Sequence, residues 1–212
     1  MVTAWPASDS SNDVSLVSAA QGGDRTAFGG LYARYARMVH GILLARVPVG
    51  DVEDLVQDVF LRALPRLHTL RDASRFGAWL AAIARNRATD YHRQSKAAPV
   101  NSDSPLEERA DGPVSDGVQE REAAAILEVV CTLPETYRET LILRLVEGMT
   151  GPEIAARTGL TPGSVRVNLH RGMQQLRERL SGSAGSEIPR NSHAENSEAS
   201  REIRDLPKRN EL

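Results

Sequence analysis

A chain of 212 residues, 41% hydrophobic and 25% charged, is long enough for one large or two small domains with real cores. Aromatic content of 4% suits small helical modules, and a net charge of −2 carries no whole-chain signature of nucleic-acid binding. Cys131 is the only cysteine, which excludes an internal disulfide framework and a cysteine-based zinc set.

Residues 1–12 are small and polar, lack the basic start and apolar run of a signal peptide, and are expected to be disordered. From Asp13 the pattern turns helical. Val14, Leu16 and Val17 form a short first helix that ends near Gly22 and Gly23. Phe28, Leu31, Tyr35, Met38, Val39 and Ile42 recur at helical steps and predict a long amphipathic helix over about 26–46, broken by Pro48 and Gly50. Asp51 is placed to cap the next helix, DVEDLVQDVFLRAL. One face of it is Val52, Leu55, Val56, Val59 and Phe60; the other is Glu53, Asp54, Gln57, Asp58 and Arg62. On pattern alone that charged face reads as solvated surface. Pro65 ends the helix, and PRLHTLRDAS is basic and irregular. RFGAWLAAIARNRATDYHRQ follows, with Phe76, Trp79, Leu80, Ile83 and Ala84 inward. Arg75, Arg85, Arg87, Arg93 and Tyr91 lie on its other faces, and cations with an aromatic suit single-stranded DNA.

Residues 96–120 are rich in Pro, Ser, Gly and acids without a period, the composition of a flexible acidic linker. The expected architecture is therefore all-α, with two small helical domains over 13–95 and 121–181. The second opens with REAAAILEVVCTL, stopped by Pro134, and continues with PETYRETLILRLVEG, in which Leu141, Ile142, Leu145 and Val146 read as inward. It closes with TGPEIAARTGLTPGSVRVNLHRGMQQLRERL. Thr150 and Glu153 make a capping box, and Gly159 sits where a chain leaving a helix needs a left-handed residue. Thr161 caps a longer helix that opens on Pro162. Val165, Leu169 and Leu176 line one side of it, with Met173 alongside; Arg166, Asn168, His170 and Arg171 cover much of the rest. This is the pattern of a helix-turn-helix whose second helix enters the major groove. A plain αα-hairpin has the same outline. The tail over 182–212 is polar and is expected to be disordered.

The five histidines are scattered, and neither a Gly-rich phosphate loop nor a nucleophile elbow occurs. The expectation is a protein without catalytic residues, metal or cofactor. With no apolar run long enough to span a bilayer, it is expected to be cytoplasmic, without membrane insertion.

DVEDLVQDVFLRAL and RFGAWLAAIARNRATDYHRQ resemble the second conserved region of sigma-70 family RNA polymerase sigma factors. LPETYRETLILRLVEGMTGPEIAARTGLTPGSVRVNLHRGMQQLRERL resembles their fourth. With only a short linker between them, the chain resembles the extracytoplasmic-function (ECF) subfamily. The resemblance implies a transcription initiation factor that binds RNA polymerase core, recognises −35 and −10 promoter elements and promotes melting. By the same resemblance, Asp54, Gln57 and Asp58 contact the clamp helices of the polymerase. The segment 66–75 captures a flipped promoter base, and Arg75, Arg85, Asn86, Asp90 and Arg93 lie near the −10 element. Ser164, Arg166, Asn168, His170 and Arg171 match positions that read the −35 element. An anti-sigma factor is implied as a further partner. Two alternatives from other classes are a stand-alone helix-turn-helix repressor, which would not need Asp54 and Asp58, and a helical adaptor, which would leave Arg166 and Arg171 without a role.

Overall fold

The computed structural model describes residues 10–97 and 117–184, and every regular element among them is helical. The expectations for residues 1–9, for the linker over 98–116 and for the tail from 185 fall outside the described residues.

Helix α1 (Ser10–Gln21) lies against α2 (Arg25–Leu44). Asp13 is buried between them. Its carboxylate accepts from Arg34 at 2.7 Å and from the Tyr35 hydroxyl at 2.8 Å, which satisfies a charge that would otherwise be costly inside. Asp24 caps α2 by accepting from the Thr26 and Ala27 amides. Helix α3 (Val52–Ala63) buries Val52, Leu55, Val56, Val59 and Phe60, the face its period predicts. Asp51 makes no capping bond: its carboxylate accepts instead from the Tyr91 hydroxyl at 2.7 Å. Tyr91 is thereby a strut between the start of α3 and α4 (Phe76–Ala97).

The segment expected to be irregular is a 3-10 helix over Leu64–Thr69 and a second over Ala73–Arg75. Leu67 plugs into the core, and the Gln21 amide donates to the carbonyls of Leu67 at 3.0 Å and Leu70 at 2.8 Å. Asp72 caps the second turn through the Ser74 amide.

The second half comprises α5 (Gly117–Cys131), α6 (Glu135–Leu145), α7 (Gly151–Thr158) and α8 (Pro162–Ala184). Helix α5 begins inside the stretch whose composition suggests a linker. In α6 the inward residues are Glu139, Thr140, Leu141, Ile142 and Leu143, while Leu145 and Val146 are each 47% exposed. The hydrophobic period misplaces that face because a buried carboxylate, Glu139, shares it and a second, Glu147, is buried just beyond the helix end. The two halves meet directly: α6 lies on α2 and α7 on α4, so one buried cluster runs from Val17 to Leu176 through both.

Candidate nucleic-acid interface

On α3, Asp54 and Gln57 are exposed and point away from the packed face of Leu55 and Val59. Asp58 is different. It is only a third exposed, accepts from Arg62 at 3.2 Å, and is ion-paired with Arg87 of α4. Burial pushes the Asp58 carboxyl up, but the bonds and charges of Arg87 and Arg62 outweigh it and hold the group below the ordinary carboxylate value. Asp58 thus fastens α3 to α4, and its charge is largely committed within the protein.

The residues expected near the −10 element lie along one run of chain but in different states. Arg75, Asn86 and Arg93 are exposed. Asp90 is half-buried, 3.6 Å from Arg62 and 3.8 Å from Arg93. Arg85 is turned to the other half of the molecule, where Glu139 binds it twice.

In the helix-turn-helix, Thr150 Oγ1 accepts from the Glu153 amide at 3.4 Å, and the Glu153 carboxylate accepts from the Thr150 amide at 2.7 Å. Gly159 has φ 77°, and a Cβ there would lie 2.8 Å from the Cβ of Ala78, so both the turn and the close approach of α4 call for glycine. Thr161 caps α8 through the Ser164 amide at 3.1 Å. Val165 and Leu176 are buried, and Gly172 lets Leu141 and Tyr137 approach α8 closely. This packing turns Ser164, Arg166, His170 and Arg171 outward, all exposed. Asn168 is not with them. It is 9% exposed and lines the seam between the halves with Arg85, Glu135 and Glu139.

Residues 31–98 match the Sigma-70 region 2 family and residues 123–176 the Sigma-70 region 4 family. The ECF RNA polymerase sigma-E factor of Escherichia coli (strain K12) is 31% identical over 180 residues, covering 80% of this chain and 94% of that protein. The chain belongs to the ECF sigma factors of the sigma-70 family. The ECF RNA polymerase sigma factor BldN of Streptomyces coelicolor is 33% identical over 174 residues, 80% of this chain and 66% of BldN. Among solved structures, CnrH in complex with the cytosolic domain of CnrY aligns with a TM-score of 0.57 at 28% identity, covering 81% of this chain and 98% of CnrH. Sigma factors are transcription initiation factors, a non-enzymatic class.

Glu139 and Glu147 carry no motif, and in the sequence they look like two more surface acids. Their only trace there is position: Glu139 falls one helical turn before Leu143 on α6, and Glu147 lies in the turn that leads from α6 to Met149.

Proposed function

We propose that this sigma factor docks on core polymerase through the exposed acidic side of α3, with Asp54 and Gln57 as the reachable contacts and Asp58 as the residue that fixes α3 against α4. The 3-10 segment before α4, with Arg75, Asn86 and Arg93, addresses the melted −10 element, where an extruded base costs a few kcal/mol that a pocket and cations must offset. The first turns of α8 read the −35 element, with Arg166 offering a guanine edge two parallel bonds.

One observation carries this reading. Arg166, His170 and Arg171 are exposed, and no described residue bonds to them, on the half of α8 that the buried Val165 and the cap at Thr161 aim outward. Exposed cations on a surface helix are ordinarily just solvated, but these lie on the second helix of a helix-turn-helix inside the stretch that matches Sigma-70 region 4, where a helix entering the major groove would use them. Likeness to CnrH, a protein solved with the cytosolic domain of CnrY, supports an anti-sigma partner for this chain as well.

Run-off transcription with core polymerase on genomic fragments tests the reading. The expected outcome is discrete transcripts that are lost with Asp54→Arg and weakened with Arg166→Ala. Transcripts undiminished by both substitutions would refute the assigned surfaces.

A further inference from the structure

An apolar groove of about 820 Å³ runs between α7 and the first turns of α8. Buried Ala155 and Val165 and half-buried Leu160 and Leu169 line it, with Pro152 and Ala156 exposed at its edge. Every lining residue belongs to α7, to α8 or to the turn between them, so no other described element closes the groove. Of these residues only Arg166 is charged. Internal packing does not fill the space: a Cβ at Gly151 or at Gly163 would meet no packed atom nearer than 3.9 Å. An open apolar surface with one cation beside it suits an amphipathic helix that has an acidic flank.

The chain carries such a segment. Helix α8 is described to Ala184, and residues 185–212 lie beyond the described residues. Among the large apolar residues of that stretch, Ile203 and Leu206 alone stand at helical spacing, and Ala199 falls four positions before Ile203. On a helical projection Glu198, Glu202 and Asp205 follow that stripe on one flank, with Arg204 on the other and Arg201 at the back. Ser197 before the segment and Pro207 after it are start and stop signals for a helix. A helix of that length is marginal alone and needs a surface to lie on. Reach is no obstacle. Arg166 stands about 27 Å back along α8 from Ala184 at roughly 1.5 Å per residue, and residues 185–197 extend to about 45 Å.

We propose that the groove between α7 and α8 is the docking site of the chain's own segment Glu198–Leu206, with Ile203 and Leu206 in the groove and the acidic flank turned to Arg166. Anything else that uses this groove must displace the segment. The contact requires Arg166 to be exposed, not to read a promoter, so its test contains no DNA.

Hydrogen exchange read by mass spectrometry is compared for three full-length chains: the wild type, Ile203→Asp with Leu206→Asp, and Ala156→Glu, which puts a carboxylate at the exposed edge of the groove. A segment docked nine-tenths of the time exchanges about tenfold slower than a free one. In the wild type that slowing is expected across 198–206, in dilute and concentrated protein alike. Both variants should lose it, and Ile203→Asp with Leu206→Asp should also speed exchange over 152–169 while leaving α2 and α3 unchanged. Wild-type exchange over 198–206 at the rate of a free chain overturns docking. Protection there that survives Ala156→Glu overturns the groove as the site. Protection that appears only in concentrated protein gives the segment to a second copy and overturns the intrachain contact. If 152–169 slows only when core polymerase is added, and 198–206 stays fast, the groove belongs to the polymerase and the proposal fails. Added NaCl should weaken the protection, and complete insensitivity overturns the pairing with Arg166. Should Ala156→Glu lose helical signal, Gly163→Gln replaces it, because that position lines the same groove and has open space for a side chain.

Discussion

His40 on α2 and Glu147 beyond α6 meet with 2.7 Å between Nδ1 and Oε1, although 107 residues separate them in the chain. The bond with Glu147 holds the His40 pKa above its ordinary 6.5; burial opposes this, the charge of Glu53 adds to it, and Arg37 subtracts. A group whose pKa is raised in the folded, docked state contributes stability that is fully present below the ordinary value and is lost as pH rises through the raised one. The melting temperature of the wild type relative to His40→Gln should therefore hold steady below the ordinary value of 6.5 and fall as pH rises above it. A difference that stays constant, or grows with pH, would show that the pair does not stabilise the docked form.

Asp54 and Asp58 share a helix face, but their substitutions should separate. Asp54→Arg is expected to keep the wild-type melting temperature and lose co-purification with core polymerase. Asp58→Arg strands Arg87, whose Nη1 is already buried without a partner. That should cost about 1–3 kcal/mol in a urea titration. Equal stability of the two variants would remove the structural role given to Asp58.

The entry and exit of α7 offer two graded tests. Thr150→Ala removes half of the capping box and should cost about 1 kcal/mol. Gly159→Ala puts a side chain on a left-handed residue and places its Cβ against Ala78, so it should cost more than Thr150→Ala. Chemical denaturation of both ranks them; the reverse order would mean that the turn relaxes freely.

Arg166 and Arg177 are both exposed on α8, about three turns apart. With holoenzyme and a set of −35 variants, Arg166→Ala should lose about 1–3 kcal/mol and relax preference at one base pair. Arg177→Ala should weaken all promoters alike and lower the salt dependence by about one unit if its guanidinium neutralises a phosphate. A uniform effect of Arg166→Ala on every −35 variant would reduce it to a generic cation.

What can be read from sequence is mostly what is local. Thr150, Glu153, Gly159 and Thr161 act within a few residues of themselves, and the period of Val52 to Phe60 names its own buried face. Asp51 escapes because Tyr91, forty positions on, offers its carboxylate a better partner than the helix start does. Leu145 and Val146 are misplaced because burying Glu139 and Glu147 depends on arginines and a histidine from α2 and α4 and the turn that follows α2, which no periodicity in α6 reveals. The same long-range contact moves Asn168 from the expected DNA face to the seam. Pairing between distant charges is specific in space and silent in sequence.

The seam joins parts of a single polypeptide, with residues 98–116 covalently connecting α4 to α5. A surface on a tether faces its partner at an effective concentration of roughly millimolar order, so ion pairs too weak to assemble two free proteins suffice to hold the halves together. The same arithmetic sets the threshold for any outside binder. To pry the halves apart it must outcompete a neighbour that never diffuses away, which favours ligands large enough to grip both halves at once.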